Sequence, residues 1–279
     1  MSDLVSTEWL AAHLGDAKSR SLCVVDANWY MPDDQRNAEA DYLAGHIPGA
    51  VYFDIDGIAD HSTDLPHMMP SPEGFANAVG RLGIGDDTDV VVYDHTAIFS
   101  APRVWWMLKA MGHANVKVLD GGFPKWKREG RAVEAGPVNV LPQIFTAVPK
   151  PAIMRDFNAV MNVVKDKSAQ IVDARSNSRF TAVEPEPRAG VRGGHMPGAT
   201  NVPWRSVVSA EGTLKPSADL RSAFAPLNLE SPIVTTCGSG ISAAILMLAL
   251  HEIGARDVAI YDGSWTEWGA RPEAPVVTG

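Results

Sequence analysis

The sequence predicts an α/β fold built twice, each copy a parallel sheet with helices on both faces. Three observations lead there. Short, nearly continuous apolar runs rich in β-branched residues alternate with longer helical runs, the pattern of parallel strands buried on both faces. The same landmarks recur in the same order in the two halves, at a period of about 140 to 150 residues, which is the size of a domain and not of a solenoid repeat. A chain of 279 residues that is 46% hydrophobic has enough apolar material for two cores.

Taken in order, the first copy offers the strand Ser21-Leu-Cys-Val-Val25, with Val24-Val-Asp-Ala27 at its end, then the turn Gly45-His-Ile-Pro-Gly-Ala50, the strand Val91-Val-Tyr-Asp94, and Leu119-Asp-Gly-Gly122 followed by Trp126. Arg128 to Pro151 carries four prolines and little periodicity and reads as a connection. The expected division is a first domain over 1–135, a linker over 136–152 and a second domain over 153–279. In the second copy Arg155 to Val164 reads as a helix and Gln170-Ile-Val-Asp173 as a strand. The turn Gly194-His-Met-Pro-Gly-Ala199 follows. Ile233-Val-Thr-Thr236 is a strand leading into a helix that Gly254 should end, and Val258-Ala-Ile-Tyr261 is the last strand.

Composition narrows the function. A formal net charge of −9 argues against nucleic acid or an anionic membrane as the main partner. No apolar stretch reaches the length of a membrane span, and Met1 to Arg20 lacks the apolar core of a signal peptide. Two lone cysteines then favour reduced thiols and a cytoplasmic address. Cys23 reads as a buried strand residue. His61 and His67 have no matched partners at ligand spacing, so no metal is expected.

Cys237 is the most informative residue. It ends the strand Ile233 to Thr236 and opens Cys237-Gly-Ser-Gly-Ile-Ser242, which runs straight into the apolar helix beginning at Ala243. A thiol at a strand end, over a glycine-rich turn and at the N-terminus of a helix, faces several backbone N–H groups and is expected to form a thiolate readily. In the first copy Asp94 occupies the position of the cysteine. A carboxylate cannot carry sulfur, and His95 to Ser100 lacks the glycines that let N–H groups converge. That copy is expected to be silent, with no anion cradle. A cysteine-dependent phosphatase would share the loop geometry but needs Arg six residues after the cysteine, and position 243 is alanine.

These landmarks together resemble the tandem-domain rhodanese family of sulfurtransferases over essentially the whole chain. The loop Cys237-Gly-Ser-Gly-Ile-Ser242 is similar to that of the 3-mercaptopyruvate-using branch, with Ile241 and Ser242 where Val and Thr are common. Thiosulfate-preferring relatives carry basic residues there. Further resemblance lies in His61 to Pro70, Ser100 to Trp106, Glu184-Pro-Glu-Pro-Arg188 and Trp265-Thr-Glu-Trp-Gly269. The resemblance implies sulfur transfer from 3-mercaptopyruvate through a Cys237 persulfide to a thiol, a dithiol protein or cyanide, without a cofactor. The alternatives are a thiosulfate sulfurtransferase and a non-catalytic persulfide carrier or interaction module. It assigns Gly238, Gly240, Ile241 and Ser242 to the substrate loop, and Arg179 and Arg188 to the donor. A guanidinium fork suits an α-keto acid, although either arginine could instead pair with Glu184 or Glu186. It also implies proton handling by Ser239 and His46 with an aspartate, for which Asp33 and Asp34 are both available. His46 has a second reading: His195 holds the same place in the other copy, so each histidine could simply fix its turn. Arg175 is expected to tie loops together, and Trp105, Trp106, Trp265 and Trp268 to pack in the core.

Overall fold

The computed structural model describes residues 2–14 and 21–279. They form two compact units. Unit 1 comprises residues 1–60, 69–150 and 210–214, and unit 2 comprises 61–68, 151–209 and 215–279. The segment read as a linker is thus part of unit 1 as far as Lys150. Gln143 N–H donates to Gly80 O, Val148 N–H to Met111 O and Lys150 N–H to Ala110 O, so a proline-rich stretch finds its backbone partners on the unit surface.

In unit 1 the strands are β1 (Leu4–Val5), β2 (Leu22–Asp26), β3 (Val51–Tyr52), β4 (Asp89–Tyr93) and β5 (Val116–Leu119), in the order β1-β5-β4-β2-β3, with every pairing parallel. The helices are α1 (Thr7–His13), α2 (Ala38–Ala44), α3 (Pro72–Arg81), α4 (Ala101–Ala110) and α5 (Gly122–Arg128). Unit 2 repeats the plan. Its strands β6 (Met154–Arg155), β7 (Gln170–Asp173), β8 (Thr200–Asn201), β9 (Ile233–Thr236) and β10 (Val258–Tyr261) lie in the order β6-β10-β9-β7-β8, again all parallel. They are accompanied by α6 (Phe157–Asp166), α7 (Asn177–Phe180), α8 (Ser217–Ala223), α9 (Ser242–Glu252) and α10 (Ser264–Trp268). The duplication read from the sequence is a duplication of topology.

Strand periodicity explains how each sheet is covered. Val91 packs with Leu10, Phe123 and Trp126 on one face, while Val90 and Val92 point to the other, where α4 lies on β4 and β5. In unit 2, Ile171, Val234 and Tyr261 pack with Phe157, Val160, Trp265 and Trp268, and α9 covers the opposite face of β9 and β10. Helix α9 is apolar all round and buried from Ala243 to Leu250, as a helix must be when sheet and neighbouring segments enclose it. Trp105, Trp106, Trp265 and Trp268 are all fully buried, the packing role read for them.

Candidate active site

Cys237 sits at the carboxyl end of β9, a central strand, where ligands gather in parallel sheets. It is 1% exposed. Gly240 N–H donates to its Sγ at 3.1 Å. Gly240 holds φ +85°, the left-handed conformation that turns its N–H back toward the sulfur, and this is the position where the loop needs glycine. Gly238 has no such requirement. A side chain there would begin 3.1 Å from Arg179 Nη2, so its role is to let a guanidinium lie on the loop. Ser239 is buried in the turn, and Ile241 and Ser242 lead into α9.

The outer side of the loop is held by α10, which sequence reading missed. Trp265 N–H donates to Cys237 O (2.9 Å) and Thr266 N–H to Gly238 O (2.8 Å), while Thr266 Oγ1 also donates to Gly238 O (2.7 Å). Ser264 Oγ accepts from Cys237 N–H (3.2 Å) and donates to Tyr261 O (2.8 Å). Ser264 does this at φ +49°, a conformation unfavourable for a residue with a Cβ. The carbonyls of Cys237 and Gly238 are thus tied to α10 while the peptide N–H of Gly240 faces the sulfur. The signal was in the sequence: Tyr261-Asp-Gly-Ser264 matches Leu119-Asp-Gly-Gly122, and Gly122 holds φ +53°.

The arginines sort into two kinds. Arg175 is buried and spent: Nε and Nη2 bond Asp173, Nη2 also reaches Gly194 O, Nη1 reaches Glu186 (2.8 Å), and the guanidinium lies 4.2 Å from the Trp265 ring centroid. Burial alone would lower its pKa, but the Asp173 and Glu186 carboxylates outweigh that and hold it above the usual arginine range. This is the tying role read for it. Arg179 is on α7. Its Nε and Nη2 both bond Glu186, at 3.2 and 2.5 Å, and Nη2 and Nη1 face Gly238. Of the two partners considered, Glu186 is the one taken. Glu184 instead accepts from Ser178 Oγ (2.7 Å). Arg188 Nη1 lies 3.4 Å from Thr266 Oγ1, so it too borders the loop. The structure therefore brings Cys237, Gly238, Ser239, Gly240, Ile241, Ser242, Arg179 and Arg188 together in unit 2.

His46 lies in unit 1 and is fully buried. Its Nδ1–H donates to Tyr42 O (2.9 Å) and its ring stacks on Tyr42, with Nε2 3.9 Å from Glu134. His195 does the same in unit 2, with Nδ1 on Phe180 O and its ring stacked on Phe180. The shared geometry supports the turn-fixing reading. Asp33 and Asp34 are exposed, and Asp34 accepts from Met31 N–H in its own turn. Cys23 is on β2 as read but half-buried rather than buried, and desolvation still raises its pKa to about 12. Among the described residues, no group of three His, Cys, Asp or Glu side chains could hold a metal ion.

Asp94 corrects one expectation. It follows β4 as Cys237 follows β9, but its loop does make an anion cradle. Oδ2 accepts from the N–H groups of Phe99 (2.8 Å), Ser100 (2.9 Å) and Ala101 (2.9 Å), and Oδ1 from Thr96 N–H (2.8 Å). Glycine is dispensable there because Ala97 adopts φ +80°, close to the value at Gly240. The cradle is filled by the chain's own carboxylate, and Gly212 lies so close over Ala97 that a Cβ would sit 2.3 Å from that of Ala97.

Comparison with known proteins places this geometry. The family model for the rhodanese-like domain matches residues 6–129 and 157–271. The chain is 42% identical over 275 residues to the 3-mercaptopyruvate sulfurtransferase of Escherichia coli (strain K12), covering 98% of this chain and 96% of that protein. It is 41% identical to the thiosulfate sulfurtransferase of Bos taurus, covering 99% and 95%. Among solved structures it is similar to the crystal structure of SseA from Escherichia coli, described as having the rhodanese fold of 3-mercaptopyruvate sulfotransferases, with a TM-score of 0.87, 40% identity and coverage of 95% and 99%. No helix among the described residues is long and apolar enough to cross a membrane. The chain belongs to the rhodanese family, among its sulfurtransferases, with one rhodanese-like domain in each half.

Proposed function

We propose that the chain is a 3-mercaptopyruvate sulfurtransferase acting by double displacement, with the 153–279 copy catalytic, the 1–135 copy silent and 136–152 joining them. The observation that carries it is Cys237 Sγ held by Gly240 N–H at 3.1 Å, in a loop bordered by Arg179 and Arg188. The Cys237 thiolate attacks the donor sulfur. The C–S bond breaks with its electron pair moving to carbon, and the resulting enolate takes a proton and leaves as pyruvate. An acceptor thiolate or cyanide then attacks the outer sulfur of the persulfide, and the S–S pair returns to Cys237. Thiolate and persulfide are both anions, so the N–H groups from Gly238 to Ser242 serve each without rearrangement. Arg179 and Arg188 hold the keto-acid oxygens, and the Ser239 hydroxyl serves the proton step. His46 enters only as a residue that shapes its turn. The reaction needs no cofactor, and a reduced thiol fits a cytoplasmic setting.

A second reading, thiosulfate as donor, is favoured by the likeness to the Bos taurus thiosulfate sulfurtransferase. Intact-protein mass after brief exposure to each donor tests both. A gain of one sulfur at Cys237 with release of pyruvate is the expected result, and Cys237→Ser should gain none. Pyruvate release undiminished in that variant would overturn the mechanism.

A further inference from the structure

We propose that unit 1 carries a binding site for a small monocarboxylate, in a cavity lined by Arg36, Lys127, His95 and Phe123 and kept open by Gly45. The cavity measures about 260 Å³ and lies wholly within that unit. It arises from a difference between the two copies. In unit 2, Arg175 lies over the ring of Trp265, with Nη2 bonding both Asp173 and Gly194 O. The repeated landmarks align Asp173 with Asp26, Arg175 with Asn28, Gly194 with Gly45 and Trp265 with Phe123. Asn28 is too short for the same task and gives its Nδ2–H to Tyr30 OH (2.9 Å). The Asp26 carboxylate is met instead by His95 Nε2 (2.7 Å), whose ring centroid lies 4.5 Å from that of Phe123. Beside Gly45, where the other copy has Arg175, the cavity opens.

The lining suits an anion with a short apolar body. Two acids adjoin it, Asp26 and Asp41, and each is matched by a base, His95 and Arg36. Arg36 lies 3.9 Å over the Tyr30 ring and gives Nη2–H to Asp41 (2.6 Å), which leaves other donors of its fork for a ligand. Lys127 supplies the remaining charge. Its Nζ lies 4.7 Å from the Phe123 ring centroid and pairs with no carboxylate among the described residues. One available cation suits one carboxylate, whereas the second charge of a dianion would face Asp41. The apolar wall is as specific. Gly45 has φ 175°, extended backbone that any residue adopts, so its conformation does not call for glycine. A Cβ there would stand 3.1 Å from Val133 Cγ1 and 3.9 Å from Phe123 Cζ, among the apolar residues that line the cavity. The volume lies below the roughly 300–1,000 Å³ of drug-sized pockets, so the ligand is only a few carbons long.

Propionate is the probe, titrated into the full chain at constant ionic strength and followed by the backbone amide signals in NMR spectra. The amides of Gly45, His95 and Phe123 are expected to shift together and saturably, with a Kd on the order of a few millimolar. Propionamide has the same shape without the charge and should bind roughly tenfold more weakly. Succinate, a dianion, should bind no more tightly than propionate. Lys127→Met keeps an apolar stem over Phe123 and removes the charge; it is expected to weaken propionate roughly three- to tenfold. Gly45→Ala should weaken it by a similar factor by filling the wall. Shifts that fail to saturate, or that saturate only at Gly240 in unit 2, would overturn the proposal. Equal affinity for propionamide, or tighter binding of succinate, would overturn it as well. So would an unchanged Kd in Lys127→Met, an exposed position whose substitution leaves the fold intact, even if Gly45→Ala does not fold.

Discussion

Gly238 and Gly240, separated in the chain only by Ser239, illustrate how a single position acts in this site. Gly240 is required by its φ of +85°, so Gly240→Ala should fold but lose about 1–2 kcal/mol, seen as a lower Tm. Ala97, at φ +80° in unit 1, is the precedent that such a residue can be carried. Gly238→Ala has no backbone penalty. Its Cβ would instead press on Arg179 Nη2 at 3.1 Å, so activity with mercaptopyruvate should fall with little change in Tm. The reverse pattern in the two variants would refute this assignment. The arginines separate similarly. Arg188→Ala should lower kcat/KM for mercaptopyruvate about ten- to a hundredfold with a small stability change. Arg179→Ala should do the same and also cost about 1–3 kcal/mol, because it leaves the buried Glu186 carboxylate with only Arg175. Urea melts beside donor kinetics would distinguish them. The cysteine and its loop were legible in the sequence because strand, turn and helix are contiguous there, whereas Arg179 and Arg188, far from Cys237 along the chain, came from the resemblance to the family. The partnership of Glu186 with two arginines was not legible, since Glu184 and Glu186 are alternatives that only the packed chain separates.

Strand–loop–helix elements carry the chemistry, and the two copies show what the element tolerates. In both, a strand ends in a hydrogen-bond acceptor and the next turn aims N–H groups at it: Cys237 Sγ in unit 2, Asp94 carboxyl in unit 1. The alternation of strands and helices was readable because buried parallel strands leave nearly continuous apolar runs. The cradle at Asp94 was not, because a positive φ at an alanine leaves no mark in the sequence. Nor were the memberships of 61–68 in unit 2 and 210–214 in unit 1, which depend on contacts remote along the chain, such as Leu214 N–H on Asp120 Oδ1 (2.8 Å). Asp94 is 0% exposed and accepts from five donors, the N–H groups of Thr96, Phe99, Ser100 and Ala101 and the Thr96 hydroxyl. Asp94→Ala should therefore destabilise the protein by about 2–4 kcal/mol in urea melts, more than Asp94→Asn, which keeps one oxygen. A loss below about 1 kcal/mol would mean that water satisfies those N–H groups and that the carboxylate does not organise the loop.

At the scale of the whole molecule, a net charge of −9 coexists with a site for anions because the relevant charges are paired locally and in buried positions. The same pairing governs acid sensitivity. Glu129 is drawn down to about 2: burial would raise it, but hydrogen bonds from Lys125, Thr7 and Arg131 prevail. Asp41 and Asp86 are also held below the usual carboxylate range. At Asp41 burial opposes hydrogen bonds from Tyr30 and Arg36, and at Asp86 the bonds from Thr146 dominate. For such groups the stabilisation is complete above the ordinary carboxylate pKa and is lost only as pH falls toward their depressed values, so they leave the range near neutrality untouched. His113 acts there. It is buried where β4, the end of α4 and the 143–148 segment meet, with Nε2 bonded to Thr88 O at 2.8 Å and its ring near Phe145. Burial lowers its pKa below 6.5, only partly offset by the carbonyls of Thr88 and Asn115. The unfolded chain then binds this proton first as the solution is acidified. Stability should be full above about pH 6.5 and decline as pH drops from there through the folded value. His113→Gln, whose amide can still donate to Thr88 O, should flatten the fall in Tm between about pH 7 and pH 5 while leaving the steeper carboxylate-driven loss at lower pH in place. Parallel Tm profiles for the wild type and this variant across that interval would assign the near-neutral acid sensitivity to another group.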